Sequence, residues 1–324
     1  MTRTALASTL AAALAALLAA SGSAATRGGK DQLGAEAAPR AQHLPPHILT
    51  GAGYWKESIA SNAEAARIAK AEKEPDDELH ASDCVVYAYL QLGQYERAKE
   101  IIEEMKTVTG FNTERNTGPF ALAASPARYE IERGDWKAAA RLEVRPTKFA
   151  YVEAMTHFAR ALGAARSGGL ESAKAEIAKL SELRDKLRQA NDAYWANQVD
   201  IQLEAATAWT LYAEGRRAEA LATMTRAADA EDKTEKGTVT PGPLAPAREL
   251  LGAMLLQDGA YADALAAFEA TLKKEPNRLN ATAGAEKAAM MAGDAAKARS
   301  YRESLLKLTQ GALMMRNLAM GPSR

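Results

Sequence analysis

The feature that most constrains this chain is a marker that recurs seven times. It consists of a glycine, a bulky residue two places on, and a small residue three places after that. It stands at Gly53-Trp55-Ser58, Gly93-Tyr95-Ala98, Gly134-Trp136-Ala139, Gly168-Leu170-Ala173, Gly215-Arg217-Ala220, Gly259-Tyr261-Ala264 and Gly293-Ala295-Ala298. The glycines are 40, 41, 34, 47, 44 and 34 residues apart. A glycine permits the left-handed turn that ends one helix and starts its antiparallel neighbour. The bulky residue fills the gap between the two helices, and the small one lets them approach. Such a pair has an apolar face that it cannot bury alone, so several pairs must stack. Pro246 to Pro276 is the best-formed unit. Leu251, Leu255 and Leu256 stripe its first helix, and Tyr261, Ala264, Leu265 and Phe268 stripe its second. Pro276 closes it, because proline has no amide hydrogen to continue the ladder.

Composition points the same way. The 324 residues are 47% hydrophobic and 25% charged, enough for a substantial core. Aromatics are only 6% and alanine is abundant, which favours close-packed helices over sheets. The expected fold is all-α, an α-solenoid of about seven antiparallel helix pairs over residues 39–312. Lys+Arg and Asp+Glu are both 41, so the basic excess of a nucleic-acid binder is missing.

The ends read differently. Arg3 precedes an apolar run from Ala5 to Ala20, and small residues follow from Ser21 to Ala25. Residues 1–25 therefore read as a cleaved export signal, giving a periplasmic or secreted protein with no stable membrane insertion. The run is short of the ~20 apolar residues that a span needs. Residues 26–38 read as a flexible linker. Residues 313–324 read as a capping tail through Leu313, Met314, Leu318 and Met320. Two stretches interrupt the helices, Thr107 to Pro119 and the Gly/Pro-rich Asp229 to Pro246, the second expected to cross a rim. Cys84 is the sole cysteine, so no internal disulfide forms, and its apolar surroundings mark a small buried side chain.

The marker resembles that of the tetratricopeptide repeat, which has a small residue in helix A, Gly-x-Tyr at the turn, Ala then an aromatic in helix B, and a closing proline. The resemblance implies a right-handed superhelix. Its concave wall would carry helix A residues about thirteen, ten and six places before each turn glycine. On this chain the wall then includes Tyr87, Arg128, Leu162, Gln202, Trp209 and Glu249, with Gln91, Glu132 and Arg166 read inward two places before their glycines. That mixed polar and aromatic wall suits an extended peptide or a partner helix. The matched Lys and Asn pairs that clamp a terminal carboxylate in some such repeats are missing. Three segments, His43 to Asn62, Asp77 to Gln94 and Glu235 to Leu256, look like a bacterial family of tetratricopeptide proteins of unassigned biochemical role. Lys236-Gly237-Thr238 departs from that family's usual His-Pro.

Counting back from Gly53 and Gly93 also turns His43, His47, His80 and Asp83 inward. His43 and His47 are four apart, the spacing with which one helical face offers two ligands to a divalent metal such as zinc. This is the alternative reading, a metal-binding module or metal-dependent hydrolytic enzyme. The plainer reading is that these are groove-lining polar residues bonded to one another across helices, and Pro45 and Pro46 break the face between the two histidines. His157 reads as a packing residue. The chain has no Gly-x-Ser-x-Gly elbow, phosphate loop, dinucleotide fingerprint or His-Glu-x-x-His. The primary expectation is a non-catalytic scaffold, without cofactor, that binds a peptide or protein partner.

Overall fold

The computed structural model describes residues 48–310, apart from 236 and 238. All regular structure in those residues is helical. A helical turn at 48–51 precedes α1 (Trp55–Glu72), α2 (Pro75–Gln91), α3 (Tyr95–Met105), α4 (Thr117–Arg133) and the short α5 (Trp136–Ala139). There follow α6 (Ala150–Ser167), α7 (Leu170–Gln189), α8 (Ala193–Ala213), α9 (Arg217–Asp232), α10 (Ala247–Gln257), α11 (Tyr261–Lys274), α12 (Leu279–Met291) and α13 (Ala295–Thr309). The expected signal and linker, and the tail at 313–324, lie outside the described residues. No helix among the described residues is long and apolar enough to cross a membrane.

Each part of the recurring marker has a physical counterpart. The seven marker glycines all have left-handed φ, between 67° and 91°. Each stands between two consecutive helical segments, where a side chain would meet the backbone strain that L-residues incur at positive φ. Six of the seven small residues, Ser58, Ala98, Ala139, Ala173, Ala220 and Ala264, are fully buried, and Ala298 is half-buried. Where no marker occurs, between α1 and α2, Lys73 takes the left-handed position instead.

The even-numbered helices form an inner layer. Each of α2, α4, α6, α8 and α10 touches the next even helix, and α12 in turn reaches α2. Alanine suits such proximity: Ala124, Ala127, Ala161, Ala205, Ala208, Ala285 and Ala288 of these helices are all buried. The odd helices α3, α7, α9, α11 and α13 back the inner layer from outside. One aromatic side chain shows how tight the packing is. Phe268 of α11 lies against Gly252 of α10 and Gly284 of α12, and a Cβ at Gly284 would come 2.3 Å from its ring.

Both interruptions are shorter than the sequence suggests. α9 continues to Asp232, so the second irregular stretch is 233–246, and α4 takes in Thr117 to Pro119. Pro119 is tolerated there because the first helical turn has no intrahelical acceptor to lose. The 233–246 loop also does more than cross a rim. Gly242 lies against the Tyr87 ring, and Leu244 and Ala245 are buried.

Gly284→Ala tests this packing. Helix propensity alone would stabilise the variant by roughly 1 kcal/mol. Overpacking against Phe268 costs about 1–3 kcal/mol. The net expectation is destabilisation, partly recovered in Gly284→Ala with Phe268→Leu, as read by urea unfolding; a single variant more stable than wild type would contradict it.

Candidate functional site

The inward positions of α2, α4 and α10 converge on one side chain that the marker does not reach. Arg278 sits in the connection just before α12 and is fully buried. Its Nε and Nη2 donate to the two carboxylate oxygens of Glu249, each at 2.9 Å. Nη2 also donates to Glu132 at 2.6 Å, and Nη1 to the Tyr87 hydroxyl at 2.9 Å. Asn280 adds an amide N–H to the second oxygen of Glu132 at 2.8 Å. The Gln91 carbonyl accepts from the Leu279 backbone N–H at 2.9 Å. Trp55 Nε1 donates to the Asn277 carbonyl at 2.8 Å, and the Asn277 amide donates to the Gly53 carbonyl at 3.2 Å. The first and last parts of the described chain are thus fastened together by hydrogen bonds that span up to 224 residues of sequence.

A second buried guanidinium lies beside the first. Arg128 donates to Asp83 at 2.6 Å and to the Gly242 carbonyl at 3.2 Å, while the Ser125 hydroxyl donates to the same Asp83 oxygen at 2.7 Å. Tyr87 lies between the two cations, 5.0 Å from Arg128 and 5.9 Å from Arg278 at its ring centroid, with Trp55 edge-on at 5.3 Å. Burial pushes the Tyr87 hydroxyl up, against the lowering effect of Arg278. Burial likewise raises Glu132, opposed by Arg278 and reinforced by the Glu249 charge. The Cys84 thiol is pushed up by burial and then by Asp83, so it is inert at neutral pH.

These distances correct the expectation of an open wall. Tyr87, Gln91, Arg128, Glu132, Trp209 and Glu249 are all buried, and Arg166 and Gln202 are half-buried. At α2, α4 and α10 the inner surface is filled by Arg278 and its partners, so an extended polypeptide has no path there. The physical reason is curvature: the inner layer bends far enough for α12 to meet α2. The metal candidates fare differently from one another. His43 and His47 lie outside the described residues. His80 is half-buried and has a partner. Asp83 Oδ1 is taken by Arg128 and Ser125, and Oδ2 is buried without a hydrogen bond. Among the described residues no three metal-ligating side chains cluster. His157 packs against Glu176, its Nδ1 2.6 Å from a carboxylate oxygen, and Arg160 contacts the other oxygen.

One open space lies next to Arg128. A cavity of about 80 Å³ is bounded by α4, α6, α8 and the 233–246 loop. Phe120, Tyr151 and Trp195 form one wall, with Tyr151 and Trp195 stacked at 3.9 Å and 3°. Gln198 and Gln202 stand beside them, and Gln202 Oε1 is buried with no partner. Arg128 reaches the same cavity, and its Nε has no partner. Facing them are Arg248, Lys274 and Glu231. Arg248 is held by Asp229 and Asp232, and Lys274 by the carbonyls of Glu231 and Thr234. Burial raises the Glu231 carboxyl to about 7; the Ala247 N–H and Lys274 oppose the rise, and Glu275 and Asp232 add to it.

Arg166 and Trp209 meet elsewhere. The Arg166 guanidinium lies over Trp209 at 4.0 Å and over Trp136 at 3.9 Å. Several cavity residues escaped the sequence reading for one reason. α8 has 21 residues, so Trp195 and Gln198 lie further from Gly215 than the thirteen or so places that the repeat pattern covers. Arg278 escaped because it belongs to a connection, where the pattern assigns no inward position. No family model matches the chain, and no curated protein matches it.

Two predictions follow from these contacts. Arg278→Met leaves Glu132 and Glu249 buried without their cation, and should lower unfolding free energy by about 3–5 kcal/mol at pH 7. Arg278→Lys should fall well short of restoring it, because an ammonium cannot reach three partners in the guanidinium plane. A loss under ~1 kcal/mol in urea unfolding, the size of an exposed ion pair, would contradict the network. Glu231 sets a pH dependence. Its folded pKa lies above the ordinary 4.5, so its stabilising contribution is full below pH 4.5 and is lost as pH rises through about 7. Glu231→Gln keeps an acceptor for Ala247 and removes the proton equilibrium. Its stability should decline less than that of wild type between those pH values; parallel curves would contradict the assignment.

Proposed function

We propose that this chain is an exported, non-catalytic binding protein of tetratricopeptide type, a right-handed solenoid of seven helix pairs. It takes a short segment of a partner polypeptide into the cavity beside Arg128. The left-handed glycines, each followed by a small residue packed between helices, support the repeat reading. The apolar run from Ala5 to Ala20 in the sequence supports export.

The binding reading rests on one observation: a stacked aromatic wall, Tyr151 on Trp195, stands beside a buried acceptor and a buried donor that have no partner, Gln202 Oε1 and Arg128 Nε. Aromatic faces bury apolar side chains with little loss of rotamer freedom. An amide oxygen and a guanidinium N–H read the N–H and C=O of a peptide, and unpaired buried polar groups are costly until something pairs them. The mode is local capture rather than a polypeptide laid along the whole inner surface, because the Arg278 network occupies the rest. A non-catalytic role accords with the state of the candidate nucleophile and acids: the Cys84 thiol is inert, Asp83 and Glu249 are tied to guanidinium groups, and Glu231 is bonded to the start of α10.

Panning a displayed peptide library on the purified chain tests this. Enriched peptides should lose about tenfold or more in affinity with Trp195→Ala, and again with Gln202→Ala, as interface anchors do. Failure to enrich any sequence, or enrichment insensitive to both substitutions, would contradict the reading.

A further inference from the structure

Arg166 is set apart from the other interior arginines. Arg128 and Arg278 each meet carboxylates, as does Arg160. Arg166 has no hydrogen bond or ion pair among the described residues; its neighbours are the faces of two indoles, Trp136 at 3.9 Å and Trp209 at 4.0 Å. Burial alone lowers its pKa to about 10, with no nearby carboxylate to raise it again, so it is charged at neutral pH and uncompensated. Trp209 is 3% exposed, and its Nε1–H is buried without an acceptor. Arg166 is itself half-buried, so part of its side chain reaches solvent. The stack therefore offers N–H donors and a positive charge, and supplies no acceptor for either.

That arrangement selects a particular chemistry. With the faces of two indoles packed against the guanidinium, its edge is what remains to meet a ligand. The edge carries parallel N–H groups whose spacing matches the two oxygens of a carboxylate. The aromatic faces hold the group in place and displace water from it, which strengthens its attraction for an anion. A phosphate dianion would call for a second cation. Arg217, which lies over Tyr212 next to Trp209, is committed to Asp258 at 3.1 Å. We propose that Arg166, held against Trp136 and Trp209, is a receptor for one carboxylate group of a bound ligand. The proposal is independent of the cavity beside Arg128 and holds whether or not that cavity takes a peptide.

The test uses the full chain labelled with 15N, following the arginine Nε–H and tryptophan Nε1–H signals by NMR. The probes are sodium acetate, an acetylated and amidated heptapeptide with a single Glu among alanines, and inorganic phosphate. The expected result is a saturable shift of the Arg166, Trp136 and Trp209 signals with acetate and with the peptide, and weaker binding of phosphate. Arg166→Lys, which keeps the charge and loses the planar fork, should weaken binding about tenfold, and Arg166→Met should abolish it. A peptide that binds tenfold more tightly than acetate identifies the carboxylate as one carried by a polypeptide; equal affinity identifies a small monocarboxylate. Both results support the receptor. No saturable shift, a shift that persists in Arg166→Met, or phosphate binding as tightly as acetate would overturn it. If Arg166→Met does not fold, Trp209→Phe keeps the aromatic face, removes the indole donor, and should weaken acetate severalfold; unchanged affinity there would count against the proposal.

Discussion

The arrangement of this chain depends on one buried guanidinium. Arg278 bonds to side chains from α2, α4 and α10 while it caps the approach to α12. A buried arginine is costly unless every N–H is met, so the four helices cannot drift apart without exposing an unpaired charge to an apolar interior. The alanine-lined contacts of the inner helices bring their axes close enough for one side chain to span the centre. Small residues and the central cation are thus parts of a single solution. The first permits the curvature, and the second fixes how far it goes.

That constraint also decides where chemistry is available. A stacked array of helix pairs usually offers its whole concave surface to a partner. In this chain the space between α2, α4, α10 and α12 is filled by Arg278 and its partners. Two of the places where polar atoms are left without partners are the aromatic cavity beside Arg128 and the Arg166 stack. Both are built from side chains with flat faces and directional donors.

Much of this was legible in the sequence, and the limit is physical. The turn glycines and the small residues three places after the bulky one answer to local requirements, so a local pattern finds them. The sequence reading turned Tyr87, Gln91, Arg128, Glu132 and Glu249 inward, and all five are buried. It could not say what they face. The partner of Glu132 lies 146 residues away and that of Tyr87 lies 191 away, in a connection with no periodicity of its own. An open groove was therefore the natural expectation, and a filled interior the outcome. Helix length hid the cavity in a similar way, since a count back from a turn loses meaning once a helix outgrows the standard unit, as α8 does. His43 and His47 show a third limit: they lie outside the described residues, and spacing alone does not assemble a site.

The most direct measurement of closure is hydrogen exchange at the Leu279 amide. It belongs to the first turn of α12, where helix geometry provides no acceptor, and its hydrogen bond goes to the Gln91 side chain 188 residues earlier. If the two ends are fastened as described, this amide should exchange only with global unfolding, as slowly as the core amides of α2, and Gln91→Ala should release it. Exchange at the rate of the exposed first turn of α13 would contradict the closure, and with it the account of why the interior is filled.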